Sequence, residues 1–330
     1  MKSCDICGTL NFKENKYCTH CGNKFIIENI CPFCGAVNNN SSNYCTKCGK
    51  QMNPIIIDDF DILFSEFNRN LLENAQIDDV EYNMLLSDIF LRLDYIDICG
   101  KTTKDKIKNL ANVFAISKPK SRGYERGFTH LGTYIYYDDR LDESVQIATI
   151  IHELAHYLLF NIIEELLCEV FKIKSSLTLQ SFILYFLTLP EFKIMNEYCA
   201  HTVEGRFIPY GYQNYGSFNM LVEEYNFGEE ELNTMVVLGN SFANEIIIYL
   251  EKYIDDSLRE EIKLQYRKDF KTPTYDSIIR ETTASFELSK KNDMILKLLY
   301  SVFISCDASM VMDLENIRDG MKFERAFNKK

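Results

Sequence analysis

The sequence predicts an α+β chain, mostly helical, with a small antiparallel or mixed sheet in its centre and two small cysteine modules ahead of it. Three observations predict this. Eight of the twelve cysteines fall within the first 48 residues in a regular spacing; apolar residues at intervals of three and four dominate the chain beyond Asp58; and one β-branched and aromatic run, Gly132 to Tyr137, interrupts the helical pattern. With 330 residues, 46% hydrophobic and 25% charged, the chain has enough apolar content for a sizeable core. It divides into residues 1–52, a central part at 55–220 and a helical region at 221–330 expected to pack on the centre.

The first segment is an internal repeat. Residues 4–22 read CDICGTLNFKENKYCTHCG and residues 31–49, at an offset of 27, read CPFCGAVNNNSSNYCTKCG; both fit C-x2-C-G-x2-N-x5-Y-C-T-x-C-G. Two CxxC turns separated by ten residues bring four thiolates together, as a structural zinc ion requires. Cys4, Cys7, Cys18 and Cys21 make one predicted site; Cys31, Cys34, Cys45 and Cys48 make the other. Modules this small lack a core, and zinc ligation, worth roughly 10 to 16 kcal/mol in finger peptides, supplies their folding free energy. Lys47 stands where the first module has His20, so His20 reads as a surface residue. The pair resembles the double zinc ribbons that precede many bacterial and archaeal effector domains.

Charge limits what such ribbons hold. Residues 1–52 carry six lysines against three acids, an excess that two zinc tetrathiolates offset, and the chain total of -12 leaves -15 for the rest. Protein docking is therefore favoured over nucleic acid as the ribbons' role. The start MKSCDICG has no apolar leader and the cysteines cluster, which predicts a reduced, cytoplasmic protein. No apolar run reaches the length of a membrane span; the nearest, Leu177 to Leu189, holds Gln180 and Ser181 and reads as a buried helix.

Past a linker at Pro54, Phe60, Leu63, Phe64, Phe67 and Leu71 mark a first helix. Two more are predicted, Asp79 to Ile98, capped by Asp78 or Asp79, and Thr103 to Ile116, with Thr102 and Asp105 as a capping box. A turn-rich stretch from Lys118 to Gly127 leads to the strand at Gly132 to Tyr137. A long helix follows from Glu143, through Ile147, Ile151, Leu154 and Leu158 as far as Val170. After the apolar segment, Pro190 suits the first position of a helix running to Glu204. Residues Gly211 to Gly216 form a tyrosine-rich loop. Helices are then predicted at Glu230 to Ile254 and Asn292 to Cys306, with a charged, frayed tail after Asp313.

The long helix carries the chemistry. Ile-His152-Glu153-Leu-Ala-His156-Tyr is an HExxH motif: histidines at i and i+4 leave one helix face toward a single zinc ion, and the glutamate between them is placed as general base on bound water. Two of the chain's five histidines are spent here. A catalytic zinc needs a third protein ligand and an open position. Glu197, in Asn196-Glu197-Tyr-Cys-Ala200-His201, is the first candidate, with Ala200 small enough for close approach to the HExxH helix. His201 is the alternative, and an earlier acid such as Glu164, Glu165 or Glu169 a third. Glu197, His201 and Glu204 share a helix face, so His201 can instead orient a ligand. Cys168 and Cys199 read as packed thiols.

These motifs resemble the gluzincin metallopeptidases, in which an HExxH helix is followed by a second helix whose ExxA-type glutamate completes the site. The resemblance implies His152, His156 and Glu197 as ligands and Glu153 as base. Within that group the stretch from Tyr134 to Glu204 is most similar to the ImmA/IrrE-type minimal zincins, which implies a zincin-like core. Two departures stand out: the gap of 41 residues from His156 to Glu197 with its apolar insert, similar to the HtpX-type peptidases, and His201 where gluzincins often have aspartate. SprT-type proteases, which also join HExxH to a zinc ribbon, use a histidine as third ligand.

The function predicted is zinc-dependent hydrolysis of peptide bonds in a protein or peptide substrate, with two structural zincs and one catalytic zinc, and ribbons that recruit substrate or partner. Tyr210, Tyr212, Tyr215 and His130 are candidate donors to the oxyanion. The strand from Tyr134 to Tyr137 is expected to border the cleft and take an extended substrate along its edge. A regulatory binding protein on an inactive scaffold and an SprT-like protease acting on DNA-bound proteins are the alternatives.

Overall fold

The computed structural model describes residues 2–3, 9–11, 20, 29–30, 36–38, 47, 55–72, 77–91, 93, 102–110, 113–116, 127–130, 134–270 and 282–327. They fall into two units, one drawn from Met1–Ile56 and Lys172–Lys174, the other from Ile57–Phe171 and Ser175–Lys330.

In the first unit, β1 (Lys2–Ser3) pairs antiparallel with β2 (Leu10–Asn11), and β3 (Asn29–Ile30) pairs antiparallel with β4 (Val37–Asn38). The registers, Lys2 with Asn11 and Asn29 with Asn38, differ by the 27 residues of the sequence repeat, so the two modules repeat in backbone as well as in sequence. The eight cysteines themselves lie outside the described residues. β5 (Ile55–Ile56) closes this unit by pairing parallel with β9 (Ile173–Lys174).

The second unit is mostly helical. It opens with α1 (Phe60–Leu72), α2 (Asp79–Leu91) and α3 (Thr103–Lys108). Asp78 caps α2, its Oδ1 accepting from the amides of Val80 and Glu81 at 2.9 and 2.8 Å. At α3, Thr102 Oγ1 accepts from Asp105 N and donates to the Asp105 carboxylate. The helix expected to run on to Ile116 stops at Lys108, and its apolar end is a strand instead. β6 (Val113–Ile116) is a β-branched and aromatic run, and the ladder bonds it makes with a neighbouring strand outweigh helical continuation.

That neighbour is β8 (Tyr134–Asp138), which pairs parallel with β6 on one side and antiparallel with β7 (Gly127–His130) on the other. The expectation that Tyr134 to Tyr137 offers a free edge is overturned: β8 is the middle strand, and both of its hydrogen-bonding edges are used.

α4 (Glu143–Phe171) lies against this sheet and against most of the unit's helices. The stripe Ile147, Ile151, Leu154 and Leu158 is buried as expected, but so are Ile150, Ala155, Ile162 and Leu166, so α4 is covered on nearly every side. Lys172, at φ 53°, turns the chain out of it. α5 (Leu177–Thr188) is core: Phe182 packs on Phe64 and Phe67, and Phe67 on Phe171 with ring centres 4.5 Å apart. Among the described residues no single helix is long and apolar enough to cross a membrane.

α6 (Pro190–Phe207) follows, with Pro190 at its first position, and α7 (Gly216–Tyr225) begins at the last residue of the segment read as a loop, in a stretch for which no helix is predicted. α8 (Glu229–Leu250) packs along α6 through Gly239, where a Cβ would lie 2.6 Å from the carbonyl oxygen of Met195. α9 (Asp256–Asp269) and α10 (Leu288–Ile304) complete the layer. The tail expected to fray is a helix, α11 (Ala308–Phe327), which lies on α5 and buries Met310, Leu314 and Met321. Its charges face outward in pairs such as Lys322 with Asp319, and these hide the apolar stripe from a reading by composition.

Candidate metal centre

His152, Glu153 and His156 project from α4, and Asn196, Glu197, His201 and Glu204 from α6, which packs directly against it. Ala200, between the two ligand-bearing turns of α6, is buried and permits that approach. Three side chains converge, through two imidazole nitrogens and both oxygens of one carboxylate. His152 Nε2 and His156 Nε2 are 3.1 Å apart, His152 Nε2 is 3.5 Å from Glu197 Oε2, and His156 Nε2 is 3.6 Å from Glu197 Oε1. The edge of a tetrahedron whose metal–ligand bonds are zinc-like measures about 3.3 Å. The two imidazole nitrogens and the carboxylate, each nitrogen facing a different oxygen of Glu197, therefore stand at spacings close to those of one coordination shell.

The outer nitrogen of each ring decides which nitrogen faces the centre. His156 Nδ1 donates to Asn196 Oδ1 at 2.7 Å, and His152 Nδ1 donates to Glu204 Oε2 at 3.1 Å. With Nδ1 carrying the hydrogen in both rings, the two Nε2 atoms turn their lone pairs toward each other. Lone pairs at that separation repel. A proton or a metal ion between them relieves that repulsion, and two Nε2 atoms beside a carboxylate are a donor set that fits a metal ion.

The electrostatics point the same way. Burial alone would keep His152 neutral, but its contacts with Glu197 and Glu204 outweigh burial and hold its pKa well above the usual imidazole range. Burial would raise the carboxyls of Glu197 and Glu204, yet bonding to His152 and the neighbouring rings holds Glu197 far below the usual range and brings Glu204 down to about 2. Burial, together with the charge of His152, lowers His201. Two carboxylates, those of Glu197 and Glu204, thus face the histidine rings at this centre.

His201 sits beside the donors rather than among them. Its Nε2 is 3.8 Å from Glu197 Oε2 but 2.6 Å from the hydroxyl of Ser217, and its Nδ1 lies 3.4 Å from Glu204 Oε2 without the geometry of a hydrogen bond. By distance alone, His152, Glu197 and His201 also offer three ligand atoms within 4.8 Å of one another. The earlier acids are remote. Glu164 lies eight residues beyond His156 on the same helix, about 12 Å along its axis, and its carboxylate accepts from Ser175 and Gln180; Glu165 and Glu169 lie further along.

Among the oxyanion candidates, the Tyr215 ring packs 5.1 Å from that of His201. Tyr212 packs instead on Tyr266 and Phe270, and Tyr210 is 86% exposed. The side chain of His130 lies outside the described residues. Cys199 is buried, and burial pushes its thiol far above the usual range, consistent with a packing role.

Comparison with known families sets the class of each part. Residues 4–52 match the model of the double zinc ribbon, and residues 110–171 that of the IrrE N-terminal-like domain, of the M78 peptidase family. The chain therefore joins a zinc-binding double ribbon to an IrrE-like domain of peptidase type. The second match ends with α4: it contains His152, Glu153 and His156, and not α6. No curated protein and no solved structure matches the chain.

Proposed function

We propose that this chain is a zinc-dependent metallopeptidase of gluzincin type, with a zincin-like core in which His152, His156 and Glu197 hold the metal and Glu153 is the general base. The observation that carries the reading is the set of three donor separations, 3.1, 3.5 and 3.6 Å, fixed by helices whose own packing determines them. The peptidase-type family matched by residues 110–171 supports it.

Zinc bound there supplies a Lewis acid that makes a water more acidic and polarises a peptide carbonyl. The chain's own residues do the rest. Asn196 and Glu204 hold the two imidazoles in the tautomer that presents Nε2. Glu153, one residue after His152 on the same helix, takes a proton from the attacking water and returns it to the amine that leaves. The ribbons recruit a protein substrate or partner, for which their small charge excess suits a protein better than a phosphate backbone.

The test compares wild type with Glu153→Gln at equal zinc content, each incubated with a denatured protein mixture whose new amino termini are read by mass spectrometry. New termini made only by the wild type are expected. Identical termini lists from two proteins that both hold three zincs would make the fold a scaffold, and the peptidase reading would be abandoned.

A further inference from the structure

His152 and His156 are each oriented by a partner on α6, but Glu197 has none on its own helix that bonds to it. The partner comes from α7. Ser217 Oγ donates to Glu197 Oε2 at 2.6 Å and lies 2.6 Å from His201 Nε2. A hydroxyl has one hydrogen. With that hydrogen on Glu197, His201 Nε2 is the donor toward Ser217 Oγ, and so has no lone pair to offer a metal. One hydroxyl thereby does two things: it fixes the Glu197 carboxylate and withdraws the Nε2 atom of His201 from ligation.

The position of Ser217 is itself built. The next residue, Phe218, is fully buried, its ring 5.1 Å from that of Tyr198 on α6, and the amide of Gly216 donates to Asn214 Oδ1 at 2.7 Å at the start of α7. α7 is thus pinned to α6 one residue away from the hydroxyl. Where a carboxylate at position 201 would support the metal centre directly, a histidine stands here, and the serine links it to the ligand.

We propose that Ser217 is a positioning residue that, together with His201, holds Glu197 in the orientation required of the third zinc ligand. The inference rests on Glu197 being that ligand. The test uses the full-length protein, with zinc counted by native mass spectrometry and the affinity of the weakest site measured by chelator competition. Ser217→Ala is expected to weaken that site by about 10- to 100-fold, the range typical of lost support to a metal ligand. Ser217→Thr, which keeps the hydroxyl, is expected to recover most of it, with the denaturation midpoint of both variants unchanged. Unchanged affinity in Ser217→Ala, or equal weakening in both variants, would overturn the inference and leave the peptidase reading intact. Two zincs in the wild type would remove the reading and the inference together.

Discussion

A helix with histidines four residues apart fixes where two imidazoles point, but not which nitrogen each presents; that choice belongs to Glu204 and Asn196. Glu204→Ala therefore is expected to free His152 Nδ1 and weaken zinc at this site by about 10- to 100-fold, measured by chelator competition, while the ribbon zincs stay bound. His201→Ala separates the two candidates for third ligand. With Nε2 committed to Ser217, the variant is expected to keep three zincs, its weakest site loosened no more than in Ser217→Ala; a loss far beyond that of Ser217→Ala would make His201 the ligand. The convergence of His152, His156 and Glu197 was legible because their spacing along helices places them on facing surfaces. Ser217 was not: it lies 20 residues from Glu197, in a helix that begins where the predicted tyrosine-rich loop ends and that is not among those predicted from the sequence.

Helices bring these residues together only as closely as their smallest side chains allow. Gly239 lets α8 approach α6 so closely that an added Cβ would meet backbone atoms of Met195 and Cys199, on either side of Glu197 in sequence. Backbone cannot step aside as a flexible side chain can, so Gly239→Ala is expected to destabilise the fold by about 1 to 3 kcal/mol in denaturant unfolding. α11 offers a second check. Leu314 is fully buried, and Leu314→Ala is expected to lower stability by about 2 to 5 kcal/mol, whereas a frayed tail would show no change. The helices α1, α4, α5 and α6 were readable from apolar period and from Pro190. β7 was not, because Gly127, Thr129 and His130 give a weak strand signal and only pairing with β8 organises them.

Across the whole molecule, the repeat and the peptidase-type part were separable in the sequence because cysteine density stops where apolar periodicity starts. What the sequence did not reveal is the polar link inside the second unit. The ammonium of Lys291, with none of its side chain exposed, bonds both oxygens of Glu245 at 2.6 Å and the hydroxyl of Tyr82, tying α10 to α8 and α2. Such pairs arise from residues 46 and 209 positions apart and carry no local signature. Lys291→Met would strand the Glu245 carboxylate and is expected to cost about 3 to 5 kcal/mol in the same unfolding assay. The central claim, however, is a metal centre completed by α6, and the most direct measurement is zinc stoichiometry by native mass spectrometry on wild type and Glu197→Ala in parallel. Three zincs falling to two is the result this account predicts. Three in both would move the third ligand elsewhere, and two in the wild type would contradict the metal centre itself.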